Sequence, residues 1–307
     1  MKFGKLTSPD ELLEVDFSLP VTPVETQTVL KAHGDKPLRV HIGCPMWGNK
    51  AWIGSLYPET AKPANFLKHY SKAFNGIELN STHYQLPKAE VVERWYGLVA
   101  ENDNFRFSPK LSQYISHRCQ LVNCEGSIAK FGDAIRGFGE KLGCTFVQLP
   151  PHFGQDKIAN VRSFLEVWPD DLPLAIEFRD ASWFEAGRLI EPARDLLAAH
   201  RVNALVTDVA GRRDVCHLDM TGTTLMLRFV GNGLVPTDYS RADAWIEKIA
   251  KLAKEGLEDA YLFMHEPDDT YAPDMGVYFI QQLNKRLGLN LHEPVLGEFP
   301  GAQMSLF

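Results

Sequence analysis

Apolar and polar positions alternate with a period of two in eight short stretches of the chain: 38–43, 76–80, 105–110, 144–149, 173–178, 203–208, 223–229 and 259–264. Period two marks a β-strand, because successive side chains point to opposite faces. Between these stretches apolar residues return every three or four positions, near 63–74, 88–101, 126–142, 157–168, 186–200, 241–256 and 274–287, which predicts helices. The gap at 209–222 has no helical pattern of its own. Strand and helix therefore alternate as in an α/β protein with parallel strands. Spread over about 250 residues, the pattern predicts a single (β/α)8 TIM-like barrel. A doubly wound dinucleotide fold would need G-x-G-x-x-G after its first strand, and none follows 38–43. Residues 1–37, with Pro9, Pro20, Pro23 and Pro37 and little periodicity, read as an N-terminal extension. The barrel is expected over 38–290 and an extended C-terminal tail over 291–307.

Parallel strands covered on both faces are normally almost continuous Val, Ile and Leu. These are not. Glu78 and Asn80 share one face of their strand, as do Arg106, Ser108 and Lys110; Gln148, Glu177 and Arg228 each stand opposite apolar neighbours, with Arg179 just beyond Glu177. The phase is constant, so the apolar rows face the helix layer and the polar rows face the barrel axis. Burying so many ionisable groups costs several kcal/mol each unless they pair with one another or with a ligand. Most lie at the C-terminal ends of strands, where barrel enzymes build their sites. An internal ion-pair network, such as Glu78 with Lys110 or Glu177 with Arg179, is the plain alternative to a polar ligand site.

Composition narrows the classes. The chain has 307 residues, 45% hydrophobic and 23% charged, with a net charge of −7 and a pI near 5.8. That is a globular composition, and it speaks against gripping duplex DNA by bulk charge. No apolar run is long enough for a membrane span, and MKFGKLTSPDELLEVD lacks the apolar region of a secretory signal. Five cysteines without a CxxC pair read as reduced thiols of a cytoplasmic protein, and Cys119 and Cys124 make a poor zinc pair.

Specific stretches then point to a family. GCPMWGNKAWIGSLYPE (43–59), LKHYSKAFNGIELNSTHYQLPKAEVVERW (67–95) and FRFSPKLSQYISH (105–117), followed by FVQLPP (146–151), IEFRDASW (176–183) and LRFVG (227–231), resemble the YecE-like family, domain of unknown function 72. The resemblance implies a TIM-barrel-like fold and supplies no activity. Its pattern carries over onto Trp47, Trp52, Tyr57, Glu78, Asn80, Thr82, Tyr84, Trp95, Lys110, His117, Gln148, Glu177, Arg179, Trp183 and Arg228. The chain departs from the usual T-F-Y with Thr82-His83-Tyr84, and it has His265-Glu266 after the last strand where the family often has two asparagines.

The chemistry follows from the residue types. Glu78 and Glu177 are the acid/base candidates, one pKa raised by burial and the other lowered by a cation, an arrangement suited to hydrolysis. Trp47, Asn80, Tyr84, Lys110, Gln148, Arg179, Arg228 and His265 are the substrate-binding candidates, with Lys110 and Arg228 as anchors for a phosphate or carboxylate. Asp208 and Glu266 are further carboxylates that could join the set. The same groups could hold a divalent metal, but several cations and the absence of a close-spaced ligand motif favour a small polar or anionic ligand without one. Any single aromatic among Trp47, Trp52, Tyr57, Tyr84 and Trp183 is more commonly loop packing than a stacking platform. His41 and His117 read as hydrogen-bonded structural groups. No G-x-S-x-G is present, and Cys44 lacks a flanking base motif for a thiol nucleophile.

The tail ends Gln303-Met304-Ser305-Leu306-Phe307 after Pro300 and Gly301. It resembles the short peptide by which many bacterial proteins dock on the replicative DNA sliding clamp, Leu306 and Phe307 filling an apolar pocket while Gln303 sets the register. The expected function is thus a hydrolase-like barrel enzyme on a small polar or phosphorylated substrate. The alternatives are a clamp-associated protein of DNA metabolism and a non-catalytic metabolite-binding barrel.

Overall fold

All eight expected strands form, each within a residue of its predicted ends. The computed structural model describes Gly4, Leu6, Ser8 and residues 10–297, so Gln303–Phe307 lie outside the described residues. The strands are β1 (Arg39–Gly43), β2 (Gly76–Leu79), β3 (Arg106–Pro109), β4 (Thr145–Gln148), β5 (Leu174–Glu177), a small antiparallel hairpin β6 (Phe184–Glu185) and β7 (Arg188–Leu189), β8 (Asn203–Ala204) and β9 (Val206–Asp208) from the single expected stretch 203–208, β10 (Thr224–Val230) and β11 (Asp259–His265). The helices are α1 (Val24–His33), α2 (Phe66–Ala73), α3 (Ser81–Tyr84), α4 (Ala89–Leu98), α5 (Glu125–Arg136), α6 (Ile158–Val167), α7 (Glu191–Ala199), α8 (Pro236–Glu255) and α9 (Ala272–Leu287).

This is an α/β fold with parallel sheets. Apart from the hairpin, every paired strand is parallel: β1-β11-β10-β9 form one sheet, β2-β3 another and β4-β5-β8 a third. Helices follow most strands and pack their apolar faces on the sheets.

Between the sheets the backbone groups are still satisfied. From β1 to β2, the side chain of Asn75 does the work of a ladder: its Oδ1 accepts from Ile42 N at 2.8 Å, and its Nδ2 donates to Val40 O at 2.8 Å. Tyr70 Oη continues the joint, accepting from Cys44 N at 2.7 Å and donating to Gly76 O at 2.9 Å. The two strands are so close that a Cβ on Gly43 would lie 1.9 Å from Gly76 O; only glycine fits. From β3 to β4, Gly143 N donates to Phe107 O at 2.7 Å and Leu111 N to Phe146 O at 2.8 Å.

Three helical expectations need correction. The helix expected at 186–200 begins at Glu191 because 184–189 turn back as the β6–β7 hairpin. The one expected at 126–142 ends at Arg136, where Gly137 and Gly139 (the latter at φ +51°) interrupt it. The third concerns the N-terminal extension, which contains α1, buried through Thr26 and Leu30. Thr26 Oγ1 donates to Leu218 O at 2.8 Å and accepts from Met220 N at 3.0 Å. The helix therefore lies on the gap 209–222, which holds only the short turn Arg213–Val215.

Two apolar clusters separate by strand phase. Val40, Ile42, Ile77, Phe107, Val147, Ile176, Val206, Leu227 and Leu262 belong to the large cluster under the helices. Cys144, Phe146, Ala175, Leu205, Met226, Tyr261 and Phe263 form a second cluster from the opposite strand faces.

Candidate functional site

Along the second phase, the residues nearest the C-terminal ends of the strands are polar. Glu78, Lys110, Gln148, Glu177, Thr207, Arg228 and His265 are all buried and sit one pleat beyond the inner apolar cluster. Phe146 forms the floor: Lys110 Nζ and Arg228 Cζ each lie 5.9 Å from its ring centroid.

Arg228 is the hub. Its Nε and Nη2 donate to Glu78 Oε2 and Oε1, both at 3.0 Å, and its Nη1 donates to Glu177 Oε2 at 3.0 Å. The planar guanidinium is suited to this double fork. Glu78 also accepts from Asn80 Nδ2 at 2.9 Å and faces His265 Nε2 at 2.9 Å. Glu177 accepts from Gln148 Nε2 at 2.7 Å and Thr207 Oγ1 at 2.9 Å. Arg179 Nε stands 3.9 Å from Glu177 Oε1.

Burial alone would raise both glutamates. For Glu78, Arg228 and then His265 outweigh it and hold the carboxyl well below the usual range. For Glu177, Arg228 and then Arg179 do the same. The expected split, one carboxyl raised and one lowered, does not arise, because the same guanidinium serves both.

Lys110 is placed differently. Its Nζ donates to Gln148 Oε1 at 2.8 Å, and among the described residues no carboxylate oxygen lies within ion-pair distance. It is 7% exposed. Burial, with Arg228 close by, pushes its ammonium down to about 8 against the pull of Glu78 and Glu177. Two histidines share this side. His83 Nδ1 meets Leu111 O at 2.7 Å, and burial with Lys110 nearby brings its pKa to about 4, so the ring is neutral. His117, 5.1 Å from His83 by ring centroid, is lowered by burial and then by Lys110 and Arg179.

The remaining candidates divide. Tyr84 is 72% exposed at the mouth. Trp47 is half-buried, packed edge-on against Trp95 at 5.2 Å. Trp52, Tyr57 and Trp183 are buried packing residues, with Trp183 Nε1 donating to Phe153 O at 2.6 Å. Asp208 is of the opposite phase and leaves the site: it pairs with Arg241 at 2.7 Å and with Arg213. Thr207 is legible from the period-two phase that locates Arg228. His83 carries no signal beyond its departure from T-F-Y. Glu266, one residue out of phase beyond β11, lines a cavity at the rim instead of the Arg228 network.

Among the described residues no group of three or more His, Cys, Asp and Glu side chains gathers to hold a metal ion. No helix among them is long and apolar enough to cross a membrane. All five cysteines are free thiols.

Parallel strands with a polar, ion-paired cluster at their C-terminal ends define an α/β protein whose candidate site lies at the strand ends. Residues 41–296 match the family described as "Protein of unknown function DUF72", and the chain belongs to that family. It is 27% identical over 288 residues to UPF0759 protein YecE of Escherichia coli K12, covering 87% of this chain and all of that one. It is 28% identical over 154 residues to UPF0759 protein YunF of Bacillus subtilis, covering 47% of this chain and 52% of that one. Crystal structures of DUF72 family proteins share the fold. One from Enterococcus faecalis V583 has a TM-score of 0.61 at 20% identity, covering 83% of this chain and 99% of that one. One from Thermotoga maritima MSB8 has a TM-score of 0.62 at 21% identity, covering 81% and 99%.

Proposed function

We propose that the parallel sheets close into one (β/α)8 barrel whose C-terminal mouth is the active site of an enzyme. It carries out hydrolytic, acid–base chemistry on a small anionic substrate, phosphorylated or carboxylated. Closure is supported by the hydrogen bonds between sheets: Glu78 N to Cys44 O at 3.2 Å, Leu111 N to Phe146 O at 2.8 Å and Leu205 N to Ile176 O at 2.9 Å.

Lys110 carries the functional reading. Arg228 is saturated by two carboxylates, whereas among the described residues the Lys110 ammonium has a neutral amide as its hydrogen-bond partner and sits low in a site also facing Arg179. A buried cation of that kind gains most from an anion arriving in the mouth. Asn80 and Gln148 offer amides beside it, and Tyr84 and Trp47 supply the rim. Glu78 and Glu177 stay ionised. Glu177 fixes Arg228, and Glu78 orients His265, which takes and returns the proton, as carboxylate–imidazole pairs do.

Inorganic phosphate is the direct probe. It should raise the melting temperature of the native chain and leave Lys110→Met unmoved. Equal stabilisation of the two would refute the anchor. Release of alcohol from a panel of small phosphate esters should disappear in His265→Gln while phosphate stabilisation remains; undiminished turnover would remove His265 from the chemistry.

A further inference from the structure

Two more side chains gather on the Lys110 side of the mouth, one from the turn after β2 and one from the turn after β3. Thr82 Oγ1 stands 2.8 Å from both Leu79 O and Lys110 O, which fastens α3 across the ends of these two strands. His83 follows, 6% exposed, its ring edge-on to the exposed Tyr84 at 5.2 Å and to His117 at 5.1 Å. Its Nδ1 lies 2.7 Å from Leu111 O. A carbonyl only accepts, so Nδ1 holds the proton and Nε2 of the neutral ring is left as a lone-pair acceptor. His117 is set the same way. The Ser116 hydroxyl donates to Ser112 O at 3.1 Å, so the 2.9 Å bond between Ser116 Oγ and His117 Nδ1 takes its proton from the imidazole.

Among the described residues neither Nε2 has a hydrogen-bond partner, and His83 Nε2, unlike Nδ1 of His41, is not sealed from solvent. Lys110 is the charged group that acts most strongly on each ring, with Arg179 next at His117. Burial and then Lys110 bring His83 to about 4, so its ring carries no second proton at neutral pH. Two acceptors therefore stand beside an ammonium whose own hydrogen bond goes to a neutral amide. Such a pair offers nothing to an anion held by Lys110. It suits neutral N–H or O–H donors carried next to that anion, because the neighbouring cations repel an ammonium group or a metal ion there. Packing does not call for the imidazole: the T-F-Y pattern has a phenylalanine ring at this position.

We propose that His83, with His117 beside it, selects substrates that carry hydroxyl groups next to the anionic group on Lys110, so that the substrate class is a phosphorylated or carboxylated polyol. The inference rests on the anion-binding reading of Lys110 and narrows it. His83 Nε2 accepts from one hydroxyl and His117 Nε2 from its neighbour. A site built around acceptors rejects the analogue without donors, because the acceptors are then desolvated and left unpaired. His83 acts on specificity, and the proton transfer stays with His265.

Three phosphonates share a propyl chain and a C–P bond that hydrolysis leaves intact: n-propylphosphonate, 2,3-dihydroxypropylphosphonate and 3-aminopropylphosphonate. Calorimetric titration of the full chain near neutral pH should show the dihydroxy compound binding roughly tenfold more tightly than the plain one. The amino compound should bind no better than the plain one. His83→Phe, which keeps a ring in the same space, should lose the advantage of the dihydroxy compound and still bind n-propylphosphonate as the native chain does. Lys110→Met should lose all three. Equal binding of the plain and dihydroxy compounds by the native chain overturns the proposal and leaves the anchor standing, and tightest binding of the amino compound overturns it too. If the native chain binds no phosphonate, the anchor is refuted and the proposal with it. A His83→Phe variant that loses the plain and dihydroxy compounds alike makes the histidine a structural group and overturns the selection. The comparison in the native chain decides the matter without any variant.

Discussion

Arg228 shows how one residue decides the character of its neighbours. It has two buried carboxylates on one guanidinium, and removing it would leave both buried charges without their main cationic partner. Breaking a buried pair from one side costs about 3–5 kcal/mol. Arg228→Met should therefore lower unfolding stability by about that much near neutral pH, as urea denaturation would measure. The pH dependence has a definite sign. Glu78 and Glu177 have folded pKa values below their unfolded ones, so the stability they give the native protein is present above the ordinary carboxylate range. It is lost as pH falls through the folded values. In Arg228→Met the same carboxyls should titrate high, so acid should narrow the gap between variant and native protein. A constant gap from neutral pH to about pH 4 would mean the network contributes little. Strand phase alone makes Arg228 legible as an inward-facing polar residue. The partner of Glu78 is not legible in the same way, because Lys110 and Arg228 share that phase and only the geometry of the assembled strands separates them.

At the level of elements, the strands are readable because period two survives even where one face turns polar. Helix ends are less so. Nothing in 186–190 says that Ala186 and Gly187, both at positive φ, reverse the chain into a hairpin before α7 begins. The joint between β1 and β2 is also hidden, since its bonds run through the side chains of Asn75 and Tyr70 rather than through a ladder. Asn75→Ala leaves one amide and one carbonyl of β1 without their partners. An unmet buried group costs about 1–3 kcal/mol, so the variant should lose at least that much in a urea titration. It should also show faster amide exchange at Ile42 than at Leu227, which is held from β9 and β11. Equal protection at the two positions would place the strength of the joint elsewhere.

Across the whole molecule, the missing helix and the apparently patternless N-terminus explain each other. Strand β9 is followed by a loop with no helix to cover it, and α1 takes that position from the other end of the chain. Its sequence, VETQTVLKAH, buries only Thr26 and Leu30, too few for a helical period to stand out. Lys248 on α8 ties down the approach to α1 by donating to Pro20 O at 3.2 Å. Leu30 lies in the same apolar cluster as Leu218 and Leu252 and is fully buried. If α1 is part of the layer that covers the strands, Leu30→Ala should cost about 2–5 kcal/mol, as at any large core position. The loss should fall on a single cooperative transition followed by both far-UV circular dichroism and tryptophan fluorescence. An appended helix would behave otherwise: the variant would melt in a small early step and leave the main transition where it was. The first outcome makes α1 a component of the fold and not an appendage to it.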